Sequence, residues 1–265
     1  MRLSAYIDGL GILGPGFSNW PGAAAVLSGQ QAYRPAATVL PAPTILPAAE
    51  RRRTGRVVKV ALGVALEATA QSGEDPRNLA SVFSSSGADG HNCHEICQAL
   101  SLPGREISPT RFANSVHNAA SGYWSIATGA MAESNVLCAF DASFGAGLLE
   151  ALAQVAVDEA PVLLVAYDSE YPQPLHAKRP LPDVFGVAMV LTLQRRPGSL
   201  ARVDAALSDS DFDRMEDTAL EALRCAIPAA RSLPLLRLLA ARISGSAILE
   251  YLDVSRIEVR IEPCA

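Results

Sequence analysis

Charge is what this 265-residue sequence has least of: 18% of its residues are Asp, Glu, Lys or Arg, against 49% hydrophobic. A surface so short of charge leaves apolar area for another subunit to cover, so an oligomer is expected. A basic excess is missing too. With a net charge of -5 and a pI near 5.4, no basic face is expected to neutralise phosphates, which excludes nucleic acid as a partner class. The five cysteines lack regular spacing, which speaks against a disulfide framework and for reduced thiols in a cytoplasmic protein. The opening MRLSAYIDGLGILGPG has no sustained apolar core of the signal-peptide kind, and no uninterrupted apolar run is long enough to span a bilayer. A chain of this length buries about three quarters of its unfolded surface, and one layered domain over residues 1–265 is expected.

What is present is organised around VLCAFDASFGAGLLEA, Val136 to Ala151, where an apolar strand enters a polar elbow and leaves as an apolar helix. The first turn of such a helix offers unpaired N–H groups and a positive dipole end, which stabilise an anion there. The tip carries Asp141, Ala142 and Ser143. Cys138 sits back in the strand and is expected to point into packing, so no thiol stands at the tip. The helix over Gly145 to Val157 is apolar nearly all round, interrupted by Glu150 and Gln154, and is expected to lie buried between layers. Continuous apolar runs at Val162 to Tyr167 and Val187 to Leu193 predict strands covered on both faces, joined by the exposed excursion EYPQPLHAKRPLPD. Further strands are predicted at residues 3–8, Leu79 to Phe83, Ala201 to Leu207 and, as an edge, Arg256 to Glu262. A long helix over Glu50 to Gln71 carries Val57, Val60, Ala61, Val64, Ala65 and Ala68 on one stripe. Another begins near Arg214 and is interrupted at Pro228 and Pro234.

Several motifs invite chemistry. Gly9, Gly11 and Gly14 spell G-x-G-x-x-G, but a dinucleotide site needs a helix starting inside the glycines, and Pro15-Gly16 follows instead. No acidic residue stands between Asp8 and Glu50 to hold a ribose, so the glycines read as a turn and no cofactor is expected. In HNCHEIC, Cys93, Ile96, Cys97 and Leu100 follow the spacing of a core face, His91 and His94 read as cap or surface residues, and no second Cys/His pair completes a metal set. Arg51, Arg52, Arg53 and Arg56 open the long helix, where positive charge opposes the dipole. They read either as a solvated first turn or as a landing for an acidic partner. Phe112, Tyr123 and Trp124 stand among small residues over 109–130, a composition that suits a subunit interface or a buried core helix alike. D-A-S-F-G at Asp141 to Gly145 is one residue from G-x-S-x-G, which makes Ser143 a candidate hydrolase nucleophile, although the order Ser, acid, His would have to finish at His176.

Taken in order, the Gly9 to Gly16 turn, PAAERRRTGRVVKVAL, the SSSG loop at 84–87, FANSVHNAASGYWSIATGA, the elbow and PDVFGVAMVL resemble the N-terminal half of β-ketoacyl synthases, the condensing enzymes of the thiolase fold. The chain is most similar to the short β-ketoacyl synthase-like N-terminal proteins found with aryl polyene pigment pathways. The resemblance covers residues 1–195 well and 196–265 more loosely, through PAARSLPLLRLLA. It implies an α/β fold layered α/β/α/β/α, with a complete first half and a truncated second half. With Asn118 and Gly122 matched to the family's Asn and Gly, the family's nucleophilic cysteine falls on Asp141. A carboxylate there is a poor nucleophile toward a thioester, and an N-cap role is the expected alternative. The two histidines that condensing enzymes draw from their second half map onto neither His117 nor His176. The resemblance therefore implies a chain-length-factor-like subunit without catalysis of its own. Its implied partners are a full-length catalytic ketosynthase, in a heterodimer, and acyl carrier protein, in chain elongation of the polyene, polyketide or fatty-acid type. Interface and tunnel positions would be Phe112, Asn114, Asn118, Trp124 and Phe140, with Arg51, Arg52, Arg53 and Arg56 for carrier-protein docking and no metal. The alternatives are a serine hydrolase using Ser143 and a carrier-protein scaffold.

Overall fold

The longest apolar runs of the sequence become the middle of a single sheet. In the computed structural model, which describes residues 2–264, the elements run in chain order as β1 (Arg2–Leu13), α1 (Trp20–Leu27), α2 (Ala48–Arg51), α3 (Arg56–Ser72), β2 (Ala80–Ser84), α4 (Gly90–Ser101), α5 (Pro109–Ala113), α6 (Ala119–Thr128) and β3 (Ser134–Leu137). They continue as α7 (Ser143–Asp158), β4 (Val162–Asp168), α8 (Leu175–Lys178), β5 (Phe185–Thr192), β6 (Ala201–Ser208), α9 (Thr218–Ala226), α10 (Leu233–Ala241), β7 (Gly245–Glu250) and β8 (Arg256–Pro263). The eight strands form one sheet in the order β3-β2-β4-β5-β1-β6-β8-β7. β2 runs parallel to β3 and β4; β4–β5, β5–β1, β1–β6, β6–β8 and β8–β7 pair antiparallel. Every residue of β4 and β5 is buried, as continuous apolar strands between two helical layers must be.

α3 covers one face with the predicted stripe of Val57, Val60, Ala61, Val64, Ala65 and Ala68. α7 covers the other through Phe144, Leu148, Ala151, Leu152 and Val155, in a core shared with α1, α9 and α10. The thiolase-like layering of the first half is thus present. The shorter second half takes the form of β6, β8 and β7 continuing the same sheet, so α7 has one sheet beneath it and its far end opens to solvent at Val157. By length and mean hydropathy (1.2) the helical stretch Phe140–Asp158 could cross a membrane. In this fold its inner face packs on the sheet, as the core helix of a globular domain does.

Four expectations are corrected. The glycines at 9 and 11 lie inside β1, not in a turn. A Cβ on Gly9 would stand 2.0 Å from the carbonyl oxygen of Ala68, and one on Gly11 2.1 Å from that of Val64, so glycine is required here by the close approach of α3. The long helix breaks after Arg51 and restarts at Arg56, which separates the first three arginines from the fourth. The supposed core face of α4 is outside: Cys93 and Cys97 are exposed, as is Leu100, because this helix packs on the short α5 instead of on the sheet. Finally, β7 and not β8 is the edge strand. Asp213 covers that edge, its N–H donating to the Ile248 carbonyl at 2.9 Å and its carboxylate accepting from Ile248 N–H at 2.8 Å, which blunts an exposed ladder.

Candidate functional site

β3 ends at Leu137, and a 3₁₀ turn at Phe140–Ala142 leads directly into α7. Phe140 has φ +51°, a left-handed conformation uncommon for a side chain of its size, so the elbow is a tight turn held by its own bonds. Ser143 closes it. Its Oγ donates to the Phe140 carbonyl at 2.8 Å and accepts from Ala139 N–H at 3.0 Å, and the residue is 1% exposed. A hydroxyl whose proton is spent inside its own turn, out of solvent, has no lone role as a hydrolase nucleophile.

Asp141 does not cap α7. The residue before the helix is Ala142, with no side-chain cap, and the Asp141 carboxylate turns instead to two arginines, Arg179 Nη2 at 2.7 Å and Arg231 Nη2 at 3.1 Å. Arg179 follows α8 in the proline-rich excursion and also lies over the Phe140 ring, 3.8 Å from its centroid, a cation–π contact that fastens the excursion to the elbow. Arg231 comes from the 3₁₀ turn Pro228–Ser232. It reaches on to Glu250 Oε1 at 2.7 Å, Glu250 takes Arg224 at 2.9 Å, and Arg224 pairs with Glu221 at 2.8 Å. Hydrogen bonding from Arg224 lowers the Glu221 carboxyl to about 2. An alternating chain of three carboxylates and three guanidinium groups therefore runs from the elbow into the second half. Each oxygen of Asp141 is thus engaged by a cation, which holds the carboxylate in its ionised form.

Behind the elbow lies a group that sequence reasoning missed. Asp168, the last residue of β4, is wholly buried. Its Oδ1 accepts from Ser86 N–H at 2.8 Å and Ser86 Oγ at 2.6 Å, and its Oδ2 from Ala229 N–H at 2.8 Å. Burial pushes its pKa up to about 6, against the pull of those hydrogen bonds. It ties the 84–90 loop to the turn that carries Arg231; an Asp closing an apolar strand was the available signal. Cys138, expected in packing, is exposed because β3 ends one residue before it, and its Sγ donates to the Ser86 carbonyl at 3.3 Å.

The predicted interface residues divide. Phe112 on α5 is 68% exposed and Phe140 62%, and Asn118 lies exposed at the head of α6. Asn114 donates to the Arg53 carbonyl at 3.0 Å and accepts from the Tyr123 hydroxyl at 3.1 Å. Trp124 is corrected: at 1% exposure it belongs to the core beneath α6. The exposed apolar residues missed in this segment are Val116, Ile126 and Met131. Of the arginines, Arg53 pairs with Glu50 at 3.1 Å, while Arg56 pairs with Glu170 and Asp183, both at 2.6 Å. Arg52, Arg53 and Arg56 line a cleft of about 620 Å³ together with His91 and Arg111 and with the carboxylates Asp89, Glu95 and Glu170, Arg111 being paired with Glu95.

A sheet covered by α3 on one face, and on the other by a helix that starts at a tight elbow, is a thiolase-like arrangement. The matching family model is the β-ketoacyl synthase N-terminal domain, over residues 25–242. The chain belongs to that family. Among solved structures it is similar to one of the ketosynthase ApeO in complex with its chain length factor ApeC from Xenorhabdus doucetiae, with 24% identity and a TM-score of 0.74 over 97% of this chain and 99% of that one. It is similar to AntDE:AntF, a type II acyl carrier protein in complex with its ketosynthase bound to the hexaketide, with 11% identity and a TM-score of 0.74 over the whole of both chains. The ishigamide ketosynthase/chain length factor matches with 13% identity and a TM-score of 0.69 over 99% of this chain and 100% of that one. No curated protein sequence matches the chain.

Proposed function

We propose that the chain is a non-catalytic, chain-length-factor-like subunit that pairs with a full-length active β-ketoacyl-ACP synthase in polyene, polyketide or fatty-acid-type chain elongation. What carries this reading is Asp141: the resemblance puts the family's nucleophilic cysteine at this position, and the carboxylate is engaged by Arg179 and Arg231. A carboxylate so paired does not accept an acyl group. The partner supplies the nucleophile, and this chain supplies a wall. The end-to-end likeness to chains from ketosynthase complexes with a chain length factor supports that role, and the exposed apolar residues of 112–140 support an interface. Phe112, Asn114, Asn118 and Phe140 form the contact, with Phe112 at the end of the partner's acyl tunnel. The cleft of Arg52, Arg53 and Arg56, with Arg51 beside it, receives an acidic carrier protein by charge complementarity. Five free thiols support a cytoplasmic setting.

The test is co-expression with a full-length ketosynthase from the same source, followed by incubation with acyl carrier protein thioesters and intact-mass spectrometry. Co-purification, with an acyl adduct on the partner and none on this chain, is expected. A stoichiometric adduct on this chain, or a stable homodimer that ignores the ketosynthase, overturns the reading.

A further inference from the structure

Beneath the turn that joins α5 to α6, two residues with buried, unpartnered polar atoms line one small cavity. The Tyr167 hydroxyl, at the end of β4, and Nε2 of His117 both lack a hydrogen-bond partner among the described residues, and both residues line a cavity with about 10 Å³ in which the centre of a water molecule can sit. That is the room one water needs, and two to four polar neighbours are what it needs around it. Of the other polar residues of the wall, Asn114 and one oxygen of Asp89 are already engaged. Asn114 uses its amide on Arg53 and Tyr123, and Asp89 Oδ1 caps α4 at Asn92 N–H. The rest of the wall is Val57, Val58, Val116 and small residues, which offer nothing to either orphan. Burial, with Asp168 adjacent, pushes the Tyr167 phenol pKa well up, so it keeps its proton and has one to donate. A buried hydroxyl left without a partner costs about as much as a lost hydrogen bond, and two such atoms on residues lining one cavity are matched by a single donor–acceptor ligand.

We infer that this cavity binds one structural water, which accepts from the Tyr167 hydroxyl and donates to His117 Nε2. The bridge joins the sheet to the 114–118 turn, a segment also held by the Asn114 contacts, by Ser115 N–H and Oγ to the Phe112 carbonyl at 3.1 and 2.8 Å, and by Ala119 N–H to the Val116 carbonyl at 3.1 Å. His117 is then a positioning residue: it sets the height of the turn that displays Val116 and Phe112.

The experiment is a double-mutant cycle on the full chain with Tyr167→Phe and His117→Leu, read by thermal melting and by amide hydrogen exchange, beside a high-resolution crystal structure of the wild type. Tyr167→Phe is expected to lower Tm by about 2 to 4 °C, and the double variant to melt no lower than the weaker single variant, because either change alone breaks the bridge. Amides of residues 116–122 exchange faster in Tyr167→Phe while those of α7 do not change. Density for one water within hydrogen-bond distance of both atoms is expected in the crystal, and decides the matter alone where His117→Leu fails to fold. A Tm unchanged or raised in Tyr167→Phe overturns the inference, since deleting an unsatisfied hydroxyl from a dry cavity relieves it. Additive losses, an empty cavity in the crystal, or acceleration spread evenly over the chain do the same.

Discussion

Asp141 binds two cations that arrive from opposite directions, one from the 169–183 excursion and one from the second half. Removing the carboxylate leaves two half-buried guanidinium groups facing each other, so Asp141→Ala is expected to destabilise the chain by about 1 to 3 kcal/mol; a urea melt checks it, and an unchanged midpoint would show that the pairing is ornamental. Asp168 makes a different prediction, through pH. A carboxyl whose folded pKa is about 6, against about 3.9 unfolded, keeps its proton in the native state after the unfolded chain has lost its own. Its contribution is fully present below about pH 4 and is lost as pH rises through 6, on the order of 3 kcal/mol in all. Urea melts from pH 4 to 7 should show that falling slope in the wild type and not in Asp168→Asn; equal slopes would assign it to another group. Neither role was legible in the sequence. The resemblance located Asp141 at the nucleophile position, but its partners lie 38 and 90 residues away, and no local pattern announces a contact between such distant side chains.

At the scale of elements, the sequence was most legible where a period met a layer. The stripe of α3 and the unbroken apolar text of β4 and β5 carry their burial on their face, because each packs against continuous structure over its whole length. Spacing misled in α4, where Cys93, Ile96, Cys97 and Leu100 keep a helical face that no sheet covers. Periodicity states which side chains share a face; it does not state that a neighbour exists. The glycines of β1 were misread for the opposite reason, since their meaning lies in the backbone of α3, some sixty residues on. Gly9→Ala and Gly11→Ala are each expected to cost about 2 to 3 kcal/mol, because the new Cβ meets a main-chain carbonyl that cannot swing away. Thermal melting of the two variants, with an alanine substitution at exposed Gly104, where a Cβ meets nothing closer than 3.8 Å, as the control, tests it. Losses no larger than the control's would show that α3 can retreat.

For the whole molecule, the issue is what covers the apolar residues that the fold leaves outside. Phe112, Val116, Ile126, Met131 and Phe140 are all exposed between residues 112 and 140, in a chain with 18% charged residues. Exposed apolar residues gathered in one stretch of the chain support the proposed interface. Phe112 can serve the proposed heterodimer in two ways, and truncation separates them. An aromatic anchor seated in a pocket of the partner contributes on the order of 2 to 4 kcal/mol to association, so Phe112→Ala would weaken the complex by about thirtyfold or more and leave the product lengths of the residual complex alone. A side chain that closes the partner's acyl tunnel contributes shape more than affinity, so the same change would leave the dissociation constant near that of the wild type and shift the products toward longer chains. The exposed position of Phe112 on a short helix favours the second outcome. Titration by light scattering gives the affinity, and mass spectrometry of products from the purified pair gives the lengths. If both stay at wild-type values, the contact lies elsewhere on the chain, and the placement of Phe112 at it is wrong.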